Sequence, residues 1–163
     1  MRKLIIRHGL SEANNRNNIG TPAFGSAEAP LMAKGVEQAQ MLGERLLTEF
    51  KIEIDETTVA TSEMLRAKQT ASNAGFTSSN SYALLNEIER DVPFPEFRKM
   101  LDEKRLPDSA YEVAEAILEN PPVEEIWFSH GLVIAALSEV LGVAKDQRFV
   151  PKFCEIRELP IGN

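Results

Sequence analysis

Two stretches decide how this chain folds: Lys3-Leu4-Ile5-Ile6 running into Arg7-His8-Gly9, and Glu125-Ile126-Trp127-Phe128 running into Ser129-His130-Gly131. Each is a short β-prone run that ends in polar groups and a glycine, the pattern of a buried strand followed by a turn. Thr57-Thr58-Val59-Ala60-Thr61 does the same and runs into Ser62-Glu63-Met64-Leu65-Arg66. Helical patterns lie between these runs. The clearest places Val36, Ala39, Leu42, Leu46 and Phe50 on one face, with Glu37, Glu44, Arg45 and Glu49 mostly on the other. Further helices are expected over Glu63 to Ala74, Ser109 to Glu119 and Leu132 to Leu141. Strands are expected at Ala83 to Ile88 and at Phe149 to Arg157, the latter at an edge because it contains Pro151. Strand and helix in alternation argue for an α/β fold, a three-layer sandwich with a mostly parallel central sheet and helices on both faces.

Composition sets the outer limits. The 163 residues are 43% hydrophobic and 26% charged, the make-up of one globular domain spanning 1–163. Eighteen Lys and Arg against 25 Asp and Glu leave a net charge of −7, and no basic run tracks a nucleic-acid backbone. The longest aliphatic run, Leu132 to Leu137, falls far short of a bilayer span of roughly 20 residues. Met1-Arg2-Lys3 is followed by too few apolar residues for an export signal, and the single Cys154 fits a reducing compartment, so a cytoplasmic location is expected. Neither nucleic acid nor membrane is an expected partner, and the oligomeric state is not legible.

In open α/β sheets ligands bind beyond the carboxyl ends of the strands, so the three junctions can converge on one crevice. Both histidines of the chain stand at such ends. The glycine after each lets the backbone turn sharply or approach a ligand closely, and a helix beginning near Gly131 would aim its N–H groups into the crevice. With Ser62 as helix N-cap, Arg66 projects from the first turn and can fork onto a carboxylate or phosphate, as Arg7 can from the first strand. In a chain of net charge −7 this is a local positive site whose natural guest is phosphate. Zinc is the competing reading of paired histidines; one remote cysteine and no short-spaced ligand pattern argue against it, and no metal or other cofactor is expected. Singly, each residue has a plainer reading, a turn histidine or a solvated arginine, and the weight lies in the combination.

The motifs resemble those of the histidine phosphatase superfamily, the phosphoglycerate mutase-like family. Arg7-His8-Gly9 with Ser11 and Asn14 is similar to its first motif, and Leu31, Gly35, Gln38 and Ala39 to the helix after it. Ser62 with Arg66-Ala67-Lys68-Gln69-Thr70-Ala71 resembles its second arginine motif, Leu85-Asn86-Glu87 its acid segment, and Ser129-His130-Gly131 its second histidine. The resemblance implies His8 as nucleophile forming a phosphohistidine. It implies that Arg7, Asn14, Arg66, His130 and Gly131 bind phosphate, with Glu87 as general acid and Glu89 as its rival two residues on. Leu10 departs from the family's usual polar residue. The 42 positions between Glu87 and His130 imply a small or minimal cap, with Asp91 to Asp108 read as irregular and its prolines as extended turns. A metal-independent phosphatase acting on a small phosphometabolite or phosphoprotein is the leading expectation. A phosphoglycerate mutase-type phosphotransferase and a catalytically silent phospho-ligand-binding module are the alternatives.

Overall fold

The computed structural model describes residues 2–89, 92–143 and 149–162. Strands β1 (Lys3–Arg7), β2 (Thr58–Thr61), β3 (Ser78–Ser81), β4 (Ile126–Ser129) and β5 (Ile156–Leu159) form one sheet in the order β3-β2-β4-β1-β5. The four strands from β3 to β1 are parallel, and β5 runs antiparallel along β1. The helices are α1 (Ala33–Thr48), α2 (Leu65–Asn73), α3 (Phe94–Asp102), α4 (Asp108–Glu119) and α5 (Gly131–Val140).

Successive strand residues point to opposite faces, and this sorts the core into two layers. Ile6, Val59 and Phe128 face the layer built by Leu42 and Leu46 of α1 and Ala67 and Ala71 of α2. Their neighbours Ile5, Ala60 and Trp127 face the layer built by Ala114 and Ile117 of α4 and Ile134 and Leu137 of α5. Strands covered on both faces read as continuous apolar runs, which is why β1 and β4 carry no polar alternation. The α/β sandwich with a mostly parallel sheet and helices on both faces is therefore the fold observed. Among the described residues no helix is long and apolar enough to cross a membrane.

Several element expectations need correction. Ala83 to Ile88 is not a strand: Ala83–Leu85 forms a 3-10 turn, and the edge strand is Ser78–Ser81 upstream of it. All four residues of β3 are exposed polar residues, so its pairing with β2 has no hydrophobic signature. The last strand is Ile156–Leu159 rather than Phe149 to Arg157; it does occupy an edge, with Pro151 in the approach to it. The segment read as irregular contains α3, because Pro93 and Pro95 stand at the N-cap and in the first turn, where a missing N–H costs nothing. Pro107 caps α4 in the same way. Asp91 lies outside the described residues. Helix α2 begins at Leu65 with Met64 as N-cap, so Ser62 is not the cap.

Candidate active site

The register of the sheet places the three junctions together. Arg7 pairs with Ser129 and Thr61 with Phe128, so His8, Ser62 and His130 leave the sheet side by side at the carboxyl edge. The two imidazole centroids are 5.0 Å apart, and both rings are buried.

His8 is held by its other nitrogen. Nδ1 lies 2.7 Å from the Gly9 carbonyl oxygen, an acceptor only, so Nδ1 carries the proton and the Nε2 lone pair faces the site. Arg66 donates from Nε to that Nε2 across 3.3 Å, and its Nη1 donates to the Ser26 carbonyl at 3.0 Å. Burial, then Arg7 and Arg66, hold the His8 pKa well below the ordinary 6.5; the bond to Gly9 opposes this only in part. His8 is therefore neutral at physiological pH.

His130 meets Ser62 at 2.8 Å between Nε2 and Oγ, and Ser62 Oγ also accepts from the Met64 N–H at 3.2 Å. Its Nδ1 is buried with no hydrogen-bond partner among the described residues. Burial, then His8 and the two arginines, keep this ring neutral as well, its pKa well below 6.5.

The Arg7 guanidinium stacks 4.1 Å from the Phe153 ring centroid and donates from Nη1 to the Pro151 carbonyl at 2.6 Å. Phe153 lies 5.9 Å from His8 as well. Cys154, remote in sequence, is adjacent in space: its backbone N–H donates to the Arg7 carbonyl at 3.0 Å. Burial pushes its thiol pKa up to about 12, which makes it inert.

Glu87 accepts from its neighbour's N–H at Ile88 (3.0 Å) and from the Leu132 N–H (3.3 Å) in the first turn of α5. Part of the positive helix end thus meets a carboxylate of the chain itself. Burial raises the Glu87 pKa, against the opposing pull of the two N–H groups, Arg7 and Arg66. Glu89 is exposed and makes none of these contacts. Asn14 accepts from the Ser11 hydroxyl at 2.6 Å through Oδ1, which leaves its amide N–H groups to donate elsewhere.

Gly131 and Gly9, which follow the two histidines, are both required by close approach. A Cβ on Gly131 would sit 2.8 Å from Val150 Cγ1 and 3.2 Å from the Arg7 Cζ. Gly9 faces the backbone of Gly35 in α1 rather than a ligand: a Cβ there would lie 2.7 Å from the Gly35 oxygen. The Gly9 N–H donates to Thr70 Oγ1 of α2 at 2.9 Å, and the Leu10 N–H to Gln38 of α1 at 2.9 Å, which pins the His8 turn to the helical layer.

The structure thus gathers Arg7, His8, Arg66, Glu87 and His130 at one sheet edge, while Asn14 lines a cavity that shares Arg7 and Phe153 with it. Sequence reasoning missed Phe153, Ser26 and the bond from Ser62 to His130. Ser62 stands within a quoted motif, but Phe153 and Ser26 reach the site from distant segments with no motif of their own. Among the described residues, no group of three or more His, Cys, Asp or Glu side chains is arranged to hold a metal ion.

Comparison with known proteins agrees with this geometry. Three solved structures share the fold: TTHB049 from Thermus thermophilus (20% identity, 98% of this chain and 94% of that one, TM-score 0.66), Rv3214 from Mycobacterium tuberculosis (24%, 96% and 89%, 0.63), and a candidate alpha-ribazole-5'-P phosphatase from Escherichia coli (22%, 98% and 95%, 0.58). No curated protein matches the chain. The family model of the histidine phosphatase superfamily (branch 1) matches residues 4–90, more than half of the sequence, including Arg7, His8, Arg66 and Glu87; His130 lies beyond the matched span. The chain belongs to the histidine phosphatase superfamily.

Proposed function

We propose that this chain is a phosphatase that hydrolyses a phosphate monoester through a phosphohistidine on His8, with no need of a metal. The observation that carries the reading is the hydrogen bond from His8 to the Gly9 carbonyl, which leaves a neutral imidazole with its Nε2 lone pair beside Arg66.

In the first step Nε2 of His8 attacks phosphorus and the bond to the leaving oxygen breaks, while Glu87 gives that oxygen its proton. A carboxyl whose pKa burial has raised keeps a proton to give at higher pH than an ordinary carboxylate. Water then attacks the phosphohistidine, the P–N bond breaks, inorganic phosphate leaves, and Glu87 recovers a proton from the water. Arg7 and Arg66 balance the charge spread over the phosphoryl oxygens, which a metal does in other phosphoryl-transfer sites. Ser62 donating to Nε2 of His130 puts that ring's proton on the partnerless Nδ1, a buried donor that a phosphoryl oxygen satisfies. The Asn14 amide and the single N–H of Gly131 are further donors for the phosphoryl oxygens.

The test is phosphate release from nitrophenyl phosphate in excess chelator, with acid-labile covalent labelling followed in parallel. Wild-type activity and labelling should persist in chelator and vanish in His8→Ala. Labelling without net phosphate release, together with conversion of 3-phosphoglycerate to 2-phosphoglycerate, would make the chain a mutase. Reversible binding with no labelling would make it a binding module.

A further inference from the structure

Glu87 stands on a segment that is neither helix nor strand. It follows the 3-10 turn Ala83–Leu85, and Asn86, which leaves that turn, has an extended backbone (φ −65°, ψ 151°). A carboxyl on such a segment is not placed by a regular ladder of backbone bonds, so its position depends on individual contacts. Three successive residues supply them. The Leu85 carbonyl accepts from the Ser129 hydroxyl at 2.8 Å, and Glu87 accepts from the Leu132 N–H at 3.3 Å, which ties the segment to the junction that carries His130. Asn86 ties it to the junction after β2. Its Oδ1 accepts from the Glu63 N–H at 2.8 Å, while its Nδ2 donates to Glu63 Oε1 at 3.0 Å. Glu63 lies between Ser62, which holds His130, and Arg66 in the first turn of α2. The pairing demands an amide. A backbone N–H and a carboxylate are answered together only by a side chain with an acceptor and a donor on one planar group; Asp has no N–H to give, and Gln is one methylene longer. Both bonds lie at the surface, where water competes for every donor and acceptor, so they add little to stability. What they define is the distance between the turn that leads to Arg66 and the run that ends in Glu87.

We infer that Asn86 is a positioning residue for the general acid: its two bonds to Glu63 hold the Glu87 carboxyl in place relative to His130 and Arg66, where it meets the leaving oxygen. The inference rests on the phosphatase reading, which makes Glu87 the proton donor, and adds the residue that places it. A proton passes efficiently only along a short, aligned hydrogen bond. A carboxyl displaced by about 1 Å therefore loses much of its effect even though it keeps its proton.

The experiment compares kcat/KM for phenyl phosphate and nitrophenyl phosphate, esters of similar shape whose leaving oxygens differ in their need of a proton. This constant reports the first half of the reaction, in which the acid acts. Asn86→Ala should lower it by about tenfold or more for phenyl phosphate and by no more than about twofold for nitrophenyl phosphate, whereas a merely structural role would lower both alike. Asn86→Asp keeps the acceptor for the Glu63 N–H but turns an oxygen toward the Glu63 carboxylate, and should show the same selective loss. Adding Glu63→Gln to Asn86→Asp offers that oxygen an N–H, restores the second bond with its direction reversed and should recover most of the loss; Glu63→Gln alone, which keeps the bond through its own oxygen, sets the baseline. Equal losses on the two esters, or no recovery in the double variant, would overturn the inference. The place of the carboxyl is also read without catalysis. In an NMR pH titration the Leu132 amide should follow Glu87 ionisation in the wild type and cease to do so in Asn86→Ala, and an unchanged response would overturn the inference as well. A wild type that neither forms a phosphohistidine nor releases phosphate would sink the phosphatase reading, and the Leu132 amide would then decide by itself whether Asn86 places Glu87.

Discussion

Arg66 donates from its Nε to Nε2 of His8 across 3.3 Å, so the lone pair read as the nucleophile is already bonded to a cation in the resting protein. A phosphate oxygen entering the site competes for the same N–H. In the proposed mechanism substrate binding would turn the guanidinium from the imidazole to the phosphoryl group and release the lone pair for attack, so that one side chain would both guard the nucleophile and receive the charge.

Arg66→Lys should therefore behave nearly as badly as Arg66→Ala. A lysine ammonium cannot reproduce the planar fork that spans Nε2 of His8 and the Ser26 carbonyl. Steady-state kinetics on nitrophenyl phosphate should show kcat/KM lower by about 10²–10³-fold in both. In Arg66→Ala, NMR titration should find the His8 pKa moved upward, because one of the cations that depresses it has gone. A loss under tenfold would remove Arg66 from the chemistry.

Replacing Glu87 separates substrates by leaving group. Glu87→Gln keeps the shape and an acceptor toward Leu132 but has no proton to transfer. Alkyl phosphates should slow by about 10²–10⁴-fold, while nitrophenyl phosphate, whose leaving group needs no proton, should lose far less. The wild type needs neutral His8 and protonated Glu87. Its rate should rise with pH through a limb well below 6.5 and fall through a limb above the ordinary carboxylate value. In Glu87→Gln the falling limb should disappear. Equal losses on both substrates would sink the assignment.

Acid should destabilise the fold through the same histidines. Their folded pKa values lie below the unfolded value of about 6.5, so below that pH the unfolded chain binds protons that the folded chain refuses. Stability should be flat with respect to these two groups above pH 6.5 and fall as pH drops below it, by up to about 1.4 kcal/mol per pH unit for each histidine. Urea unfolding of the wild type and of His130→Asn at pH 7.5 and 5.5 reads the difference. The variant should show the smaller drop, and an unchanged drop would mean that His130 takes up its proton without unfolding.

Gly35→Ala tests the seating of the nucleophile's turn from a distance. Its Cβ would run into the carbonyl oxygen of Leu10, backbone that cannot swing aside. A thermal melt and a urea curve should show a loss of about 1–3 kcal/mol, as for overpacked cores. Activity should fall with it because Leu10 adjoins the His8-Gly9 turn. Ala substituted at Gly20, which has open space but a φ of +86°, should destabilise with little effect on activity.

The primary structure determined the parallel core and the members of the candidate site. Ile5-Ile6 and Trp127-Phe128 are apolar on both faces because helices cover both, and the polar residues that follow must then emerge at one edge. Where hydrophobic pattern is absent the sequence was silent. Ser78–Ser81 is a strand because β2 offers it a hydrogen-bonding edge, not because its side chains seek the interior. Phe94–Asp102 is a helix because its prolines fall where helices begin, although proline more often reads as a break. The site divides in the same way. His8, Arg66, Glu87 and His130 were legible because they stand in local motifs beside the strand ends. Only the tertiary structure decided that Phe153 stacks on Arg7, that Ser26 steadies Arg66 and that Ser62 holds His130. Those partners are tens of residues apart or more, and nothing along a chain records which distant segments the packing of two helical layers will bring to the same edge of a sheet.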